Sequence, residues 1–148
     1  MPAVRIRNEH HVIRYVPWAR LRKDENDVVI GVLGIAFELR SEEEYLSATW
    51  LEFFPGSHQE SLVLAIKAIR SSNINVRPKS GFAVGNVGEI KTVCLERRHK
   101  IRIVHERTDD NEAHAALRLW PRNNPDLLDL IAGEIWNDVI LNKDIPVE

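Results

Sequence analysis

The chain has 148 residues, 44% hydrophobic and 28% charged, with a formal charge of −2 and one cysteine, Cys94. That length suits a single domain able to bury about two thirds of its unfolded surface, and the near-neutral charge gives no overall pull toward nucleic acid or anionic lipid. A single cysteine excludes an internal disulfide, the uncharged runs fall far short of the ~20 apolar residues of a membrane span, and a cytoplasmic location is expected.

In chain order, residues 1–9 read as a loose lead-in, with no apolar stretch behind Arg5 to make a signal peptide. His11-Val12-Ile13-Arg14-Tyr15-Val16 is rich in β-branched and aromatic residues and stops at Pro17, which predicts a strand over 11–16. Residues 17–21 fit one helical turn or an extended crossing, and Arg22 to Asp27 a charged loop. Val28 to Leu39 is apolar apart from Glu38, and Gly31 and Gly34 favour a buried strand with a bulge or close approach over a helix.

Ser41-Glu42-Glu43-Glu44 has the form of a capping box. The residues after it carry two patterns. Leu46, Trp50, Phe53 and Phe54 share a helical face, whereas Leu46, Ala48 and Trp50 alternate as in a strand. Ser57-His58-Gln59-Glu60 is a second box, and Leu62, Ala65, Ile66 and Ile69 predict a helix over 59–71. A short strand over 81–84 then leads through Asn86, an N-cap with Glu89 three residues on, into a helix over 87–97. Ile101 to His105 returns as a strand, giving a βαβ-like succession. Asp109-Asp110-Asn111 would cap a short helix over 112–119. Asn124-Pro125 opens a last helix over 125–141, striped by Leu127, Leu128, Ile131, Ile135, Trp136 and Val139. Residues 142–148 are expected to be loose. The sum is an α+β fold in one domain, 1–148, with a small mixed β-sheet packed by three main helices.

Candidate chemistry centres on residues 99–114. His105 ends a strand, and His114 follows a polar turn holding Asp109 and Asp110, so the two imidazoles are candidates for an acid–base pair on a phosphodiester. Arg107 or Lys100 would steady the charge. Strand-end capping and ordinary packing account for the same histidines more economically. His99 and His105, six apart on a strand, stand ~20 Å apart and cannot share a metal. No metal site and no cofactor are expected. Arg97, Arg98, Lys100 and Arg102 form a basic cluster able to touch phosphates, but no aromatic residues interleave with it, and a solvated helix end explains it better. Trp18 and Trp120, each beside a proline, would anchor a partner if exposed. Cys94 shares a helical face with Ile90 and reads as a buried, inert thiol.

In the order Arg14-Tyr15-Val16-Pro17, Ala36-Phe37, Tyr45-Leu46-Ser47, Val84-Gly85 and Asn111-Glu112-Ala113-His114, the chain resembles a scattered group of uncharacterised bacterial proteins. Glu112 departs from that pattern, in which Asn-Pro-Ala-His is the expected form, and the resemblance implies no activity. The chain is also similar, more weakly, to small bacterial toxins of the ADP-ribosyltransferase type. These use an Arg on an early strand, a Tyr and a later Glu around NAD, and Arg14, Tyr45 and Glu52 or Glu60 occur in that order. The first functional expectation is a small cytoplasmic bacterial recognition or accessory protein, working without catalysis through a protein partner or a second copy of itself. The alternatives are the His-dependent phosphodiester-cleaving enzyme, a ribonuclease-type toxin, and an NAD-consuming toxin. Nucleic acid is a less favoured partner, and no membrane is expected.

Overall fold

The structure, a computed structural model, describes residues 4–147. Its strands are β1 (Val4–Arg5), β2 (His11–Pro17), β3 (Leu21–Lys23), β4 (Val29–Val32), β5 (Tyr45–Trp50), β6 (Ser80–Asn86), β7 (Arg102–His105), β8 (His114–Arg118) and β9 (Asp138–Leu141). The helices are α1 (His58–Arg70), α2 (Val87–Glu96) and α3 (Pro125–Leu130). Seven strands form one sheet in the order β1-β7-β8-β5-β2-β6-β9, and β3 pairs with β4 as a separate hairpin. The α+β class is as expected; each neighbouring pair is antiparallel, so the sheet is not mixed.

Alternation along β2 decides which layer lies on which face. Ile13 points to a cluster with Leu62, Ala65, Ile66 and Ile69 of α1. Val12 and Val16 point the other way, into a larger core with Ile90 and Cys94 of α2, Leu127 of α3, Phe37 and Trp136. The sheet is thus sandwiched between α1 and the α2–α3 layer. Helix α1 begins as its sequence predicts: Ser57 and Glu60 exchange both capping-box bonds. At α2, Asn86 Oδ1 accepts the Glu89 N–H at 2.9 Å. Gly34, in a short 3-10 turn over Gly34–Phe37, lies where a Cβ would come within 2.8 Å of the Asp129 nitrogen, the close approach expected of it.

Several expectations are corrected. Val28 to Leu39 is not one strand, since β4 ends at Val32 and the 3-10 turn follows. Residues 112–119 are not a helix; 114–118 form β8, inserted between β7 and β5 with Ala115, Ala116 and Leu117 buried. Alanine's helix propensity is overridden there by tertiary packing. Residues 45–50 take the strand reading. The β6–α2–β7 succession is no adjacent βαβ unit, because β2, β5 and β8 lie between its two strands.

The last helix stops at Leu130 and widens into a single π-helical turn, Ile131–Ile135, closed by the Trp136 N–H on the Ile131 carbonyl at 2.7 Å. The reason is Trp136. It stacks on Phe37 at 4.4 Å between ring centroids and donates its indole N–H to the Ala83 carbonyl at 2.9 Å. The chain beyond it becomes β9 on the edge of β6. Neither end is loose within the described residues. Val4 pairs with His105 and Ile6 is buried, while Arg70 donates to the carbonyls of Asn142, Ile145 and Pro146. Residues 1–3 and 148 lie outside the described residues.

Gly85 on β6 leaves the space that the indole occupies, since a Cβ there would stand 2.7 Å from Trp136 Cγ. Gly85→Ala is therefore expected to destabilise the fold by about 1–3 kcal/mol through overpacking, read as a lower urea midpoint.

Candidate functional site

The strands β2 and β5 pair only at Val12–Trp50 and Ile13–Thr49 and then part. The parting opens a cleft of about 550 Å³, within the range of small-molecule sites. Both faces of the parted strands contribute to it, through Ile13 and Arg14 of β2 and Ser47 and Ala48 of β5. Tyr15, Tyr45, Thr108, Asp110, Asn111 and His114 complete the walls, and Arg20 and Arg40 stand in them too.

Arg14 fills the gap in the ladder. Its Nε donates to the Ala36 carbonyl at 3.0 Å and its Nη1 to the Ser47 carbonyl at 2.6 Å, so the side chain satisfies a β5 acceptor that the missing strand pairing would otherwise have met. No carboxylate pairs with it within ion-pair distance among the described residues, and its Nη2 amino group has no protein acceptor there. Burial pushes the guanidinium down to about 10, with partial relief from Glu43 and further lowering by Arg20 and Arg40, which leaves it charged at neutral pH.

Across the cleft, register places His114 opposite Thr49, with Ser47 two residues along the same face of β5. The His114 Nδ1 lies 2.8 Å from the Glu106 carbonyl oxygen, and its Nε2 lies 3.1 Å from Ser47 Oγ. A carbonyl only accepts, so Nδ1 carries the proton. In the neutral ring Nε2 is then a bare acceptor for the serine hydroxyl. Burial lowers the imidazole from its usual value, against the opposing pull of the Glu106 carbonyl and carboxylate and of Asp110. The Glu106 carboxylate is itself held low by Arg118, whose Nε and Nη2 reach it at 2.5 and 2.6 Å.

His105, the expected partner of His114, is not in the cleft. It stands opposite Ala115, one residue off, and so leaves the sheet on the other face. There it packs against the rings of Trp50 and Phe53, at 5.2 and 5.5 Å between centroids. Arg107 and Asp109 are exposed, and Arg107 meets Glu112 at 3.5 Å. Asp110 does line the cleft, but as a latch: it accepts the Asn73 N–H at 2.9 Å and the Thr108 hydroxyl at 2.8 Å, which together lower its carboxyl. Glu52 is engaged by His11 at 2.6 Å and Glu60 caps α1, so neither joins Arg14 and Tyr45.

Trp120 is no surface anchor. It is buried and donates its indole N–H to the Phe37 carbonyl at 2.7 Å. Trp18 is part-buried beneath the ammonium groups of Lys23 and Lys79, at 4.4 and 4.3 Å from its ring centroid. Arg97, Arg98, Lys100 and Arg102 are exposed and none of them lines the cleft. Cys94 is buried, its thiol pushed up to about 12 by desolvation. Among the described residues no group of three or more His, Cys, Asp or Glu is arranged to hold a metal, and no helix is long and apolar enough to cross a membrane.

Ser47 carries no motif, and sequence reasoning reached Arg14 and Tyr45 only by resemblance. The signal for Arg14 is an arginine inside an otherwise apolar strand, between Val12-Ile13 and Tyr15-Val16. Compared with known proteins, the chain matches no family model, no curated protein and no solved structure.

The lowered imidazole of His114 has a consequence for stability. Below its usual value of 6.5 the unfolded chain takes up a proton that the fold does not. Stability should therefore fall as pH drops through that value and level off once the folded ring protonates as well. Glu106 acts lower on the scale: its contribution, present above its usual 4.5, is lost as pH falls through its lowered folded value. In urea unfolding across pH, His114→Gln should remove the first decline and keep the second.

Proposed function

We propose that the protein recognises a small phosphate-bearing molecule in the β2–β5 cleft, with Arg14 as the anchor for its negative charge. The observation that carries this reading is the unspent Nη2 of Arg14. The guanidinium is part-buried, has no carboxylate within ion-pair distance among the described residues and stands at the wall of a cavity large enough for a ligand. An arginine fork suits phosphate oxygens, and Arg20 and Arg40 add positive charge beside it. The carboxylates of the cleft are engaged elsewhere or exposed, although Glu43 also acts on the Arg14 charge. Glu43 accepts the Arg40 backbone N–H at 2.8 Å, Asp110 is latched to Asn73, and Glu38 is exposed. Tyr15 and Tyr45 offer ring surface for the rest of the ligand.

Of the activities considered from sequence, this reading stands nearest to NAD or phosphodiester chemistry, since Arg14, Tyr45 and His114 share the cleft. A mechanism using His105 with His114 finds no support in their opposed faces, and neither does an NAD site using Glu52 or Glu60.

The test is titration of inorganic phosphate, AMP and NAD into the protein, followed by calorimetry and thermal unfolding. At least one is expected to bind and raise the melting temperature. Arg40→Glu, at an exposed position whose side chain bonds nothing in the described fold, should weaken that binding by roughly tenfold or more, about the worth of a charge-assisted hydrogen bond. Arg97→Ala should leave it unchanged. If none of the three ligands binds, the reading is overturned, and non-catalytic partner recognition regains first place.

A further inference from the structure

Resting on that reading of the cleft, we propose that Ser47 is a nucleophile activated by His114, so that the bound phosphate ester is a substrate and the protein a serine-dependent phosphoesterase. Three groups stand in the order that nucleophilic catalysis needs: hydroxyl, base, and an orienting acceptor behind the base. Ser47 Oγ is 3.1 Å from His114 Nε2, and the Glu106 carbonyl holds Nδ1 at 2.8 Å. The orienter fixes the tautomer that leaves Nε2 free to take a proton. Burial keeps the ring neutral near pH 7, the state a base requires.

The fourth group is Arg14. Its Nη1 already holds the carbonyl of Ser47 itself at 2.6 Å. Both residues line the same cleft, so a phosphate held by Nη2 shares that cavity with the nucleophile, and the guanidinium offsets negative charge as it develops on the phosphoryl oxygens. In the first step Ser47 Oγ bonds to phosphorus while the bond from phosphorus to the ester oxygen breaks. The hydroxyl proton passes to His114 Nε2 and then to the departing alkoxide, which leaves as an alcohol. Water then attacks the phosphoserine, giving its proton to Nε2. Oγ departs, recovers that proton, and inorganic phosphate is released.

The probe is diisopropyl fluorophosphate, which needs an activated serine and not the natural substrate. Attack by Ser47 forms the Oγ–P bond, expels fluoride and passes the hydroxyl proton to His114. Peptide mass spectrometry is expected to place the adduct on Ser47, with labelling slowed by roughly 10²-fold or more in His114→Gln and blocked by saturating inorganic phosphate. In the wild type the labelling rate should fall as pH is lowered, with its midpoint below the usual imidazole value of 6.5. Absence of an adduct at Ser47, or a flat pH profile, while phosphate still binds and stabilises the protein, overturns the nucleophile and leaves the binding site standing. If inorganic phosphate, AMP and NAD all fail to bind as well, both the nucleophile and the binding site are overturned.

Discussion

The architecture around the cleft depends on one part-buried guanidinium. Antiparallel strands that part after two residue pairs expose carbonyls that the ladder would have satisfied. Arg14 meets one of them, from β5, and also the Ala36 carbonyl of the 3-10 turn, and so bridges three segments distant in the chain. A neutral side chain of similar length lacks the five fixed donors that let one group do this and still keep an amino group in reserve. The charge is retained at a desolvation cost, visible in the lowering of the guanidinium to about 10.

The same parting of strands explains why a polar site exists inside a seven-stranded sheet. On the face it shares with α1, Ile13 packs beneath the helix, and the neighbouring positions of β5 and β8 carry Ser47, Thr49 and His114. These polar groups answer one another. Ser47 meets His114, and Thr49 accepts from the Asn111 amide at 2.9 Å. No buried side-chain nitrogen or oxygen is left unsatisfied among the described residues. The 108–111 loop is held to the sheet by Asn111 and to the turn that follows α1 by Asp110, so the cleft has a fixed rim on that side.

What was legible in the sequence was local. The capping residues Ser57, Asn86 and Asn124 mark helix starts because their bonds close within three residues. The alternation of His11 to Val16 marks β2 for a similar reason. Strand β8 was hidden because His114-Ala115-Ala116-Leu117-Arg118 has no β-branched residue, and it is set between the nearby β7 and the distant β5 only by sheet pairing. Helix α3 was overextended because Ile135, Trp136 and Val139 continue its stripe, while the indole's bond to Ala83 turns the chain aside. Of the residues that line the cleft, His114 and Asp110 were singled out from the sequence, but their contacts with Ser47 and Asn73 were not. The contact of Arg14 with Ser47 spans 33 positions and that of Ser47 with His114 spans 67. Only strand register brings them together.

The order of the sheet also bears on how the chain reaches this state. Among the ladders of the large sheet, only β7–β8 joins strands that are consecutive in the chain. Every other ladder closes a loop that contains at least one further strand, and loop closure must precede the contacts that reward it. Strand β2 forms early in the chain yet waits for β5 on one side and β6 on the other. Topologies dominated by such pairings fold in milliseconds to seconds. During that interval β2 has both edges open, with Val12, Ile13 and Val16 uncovered, and is a ready template for pairing between chains.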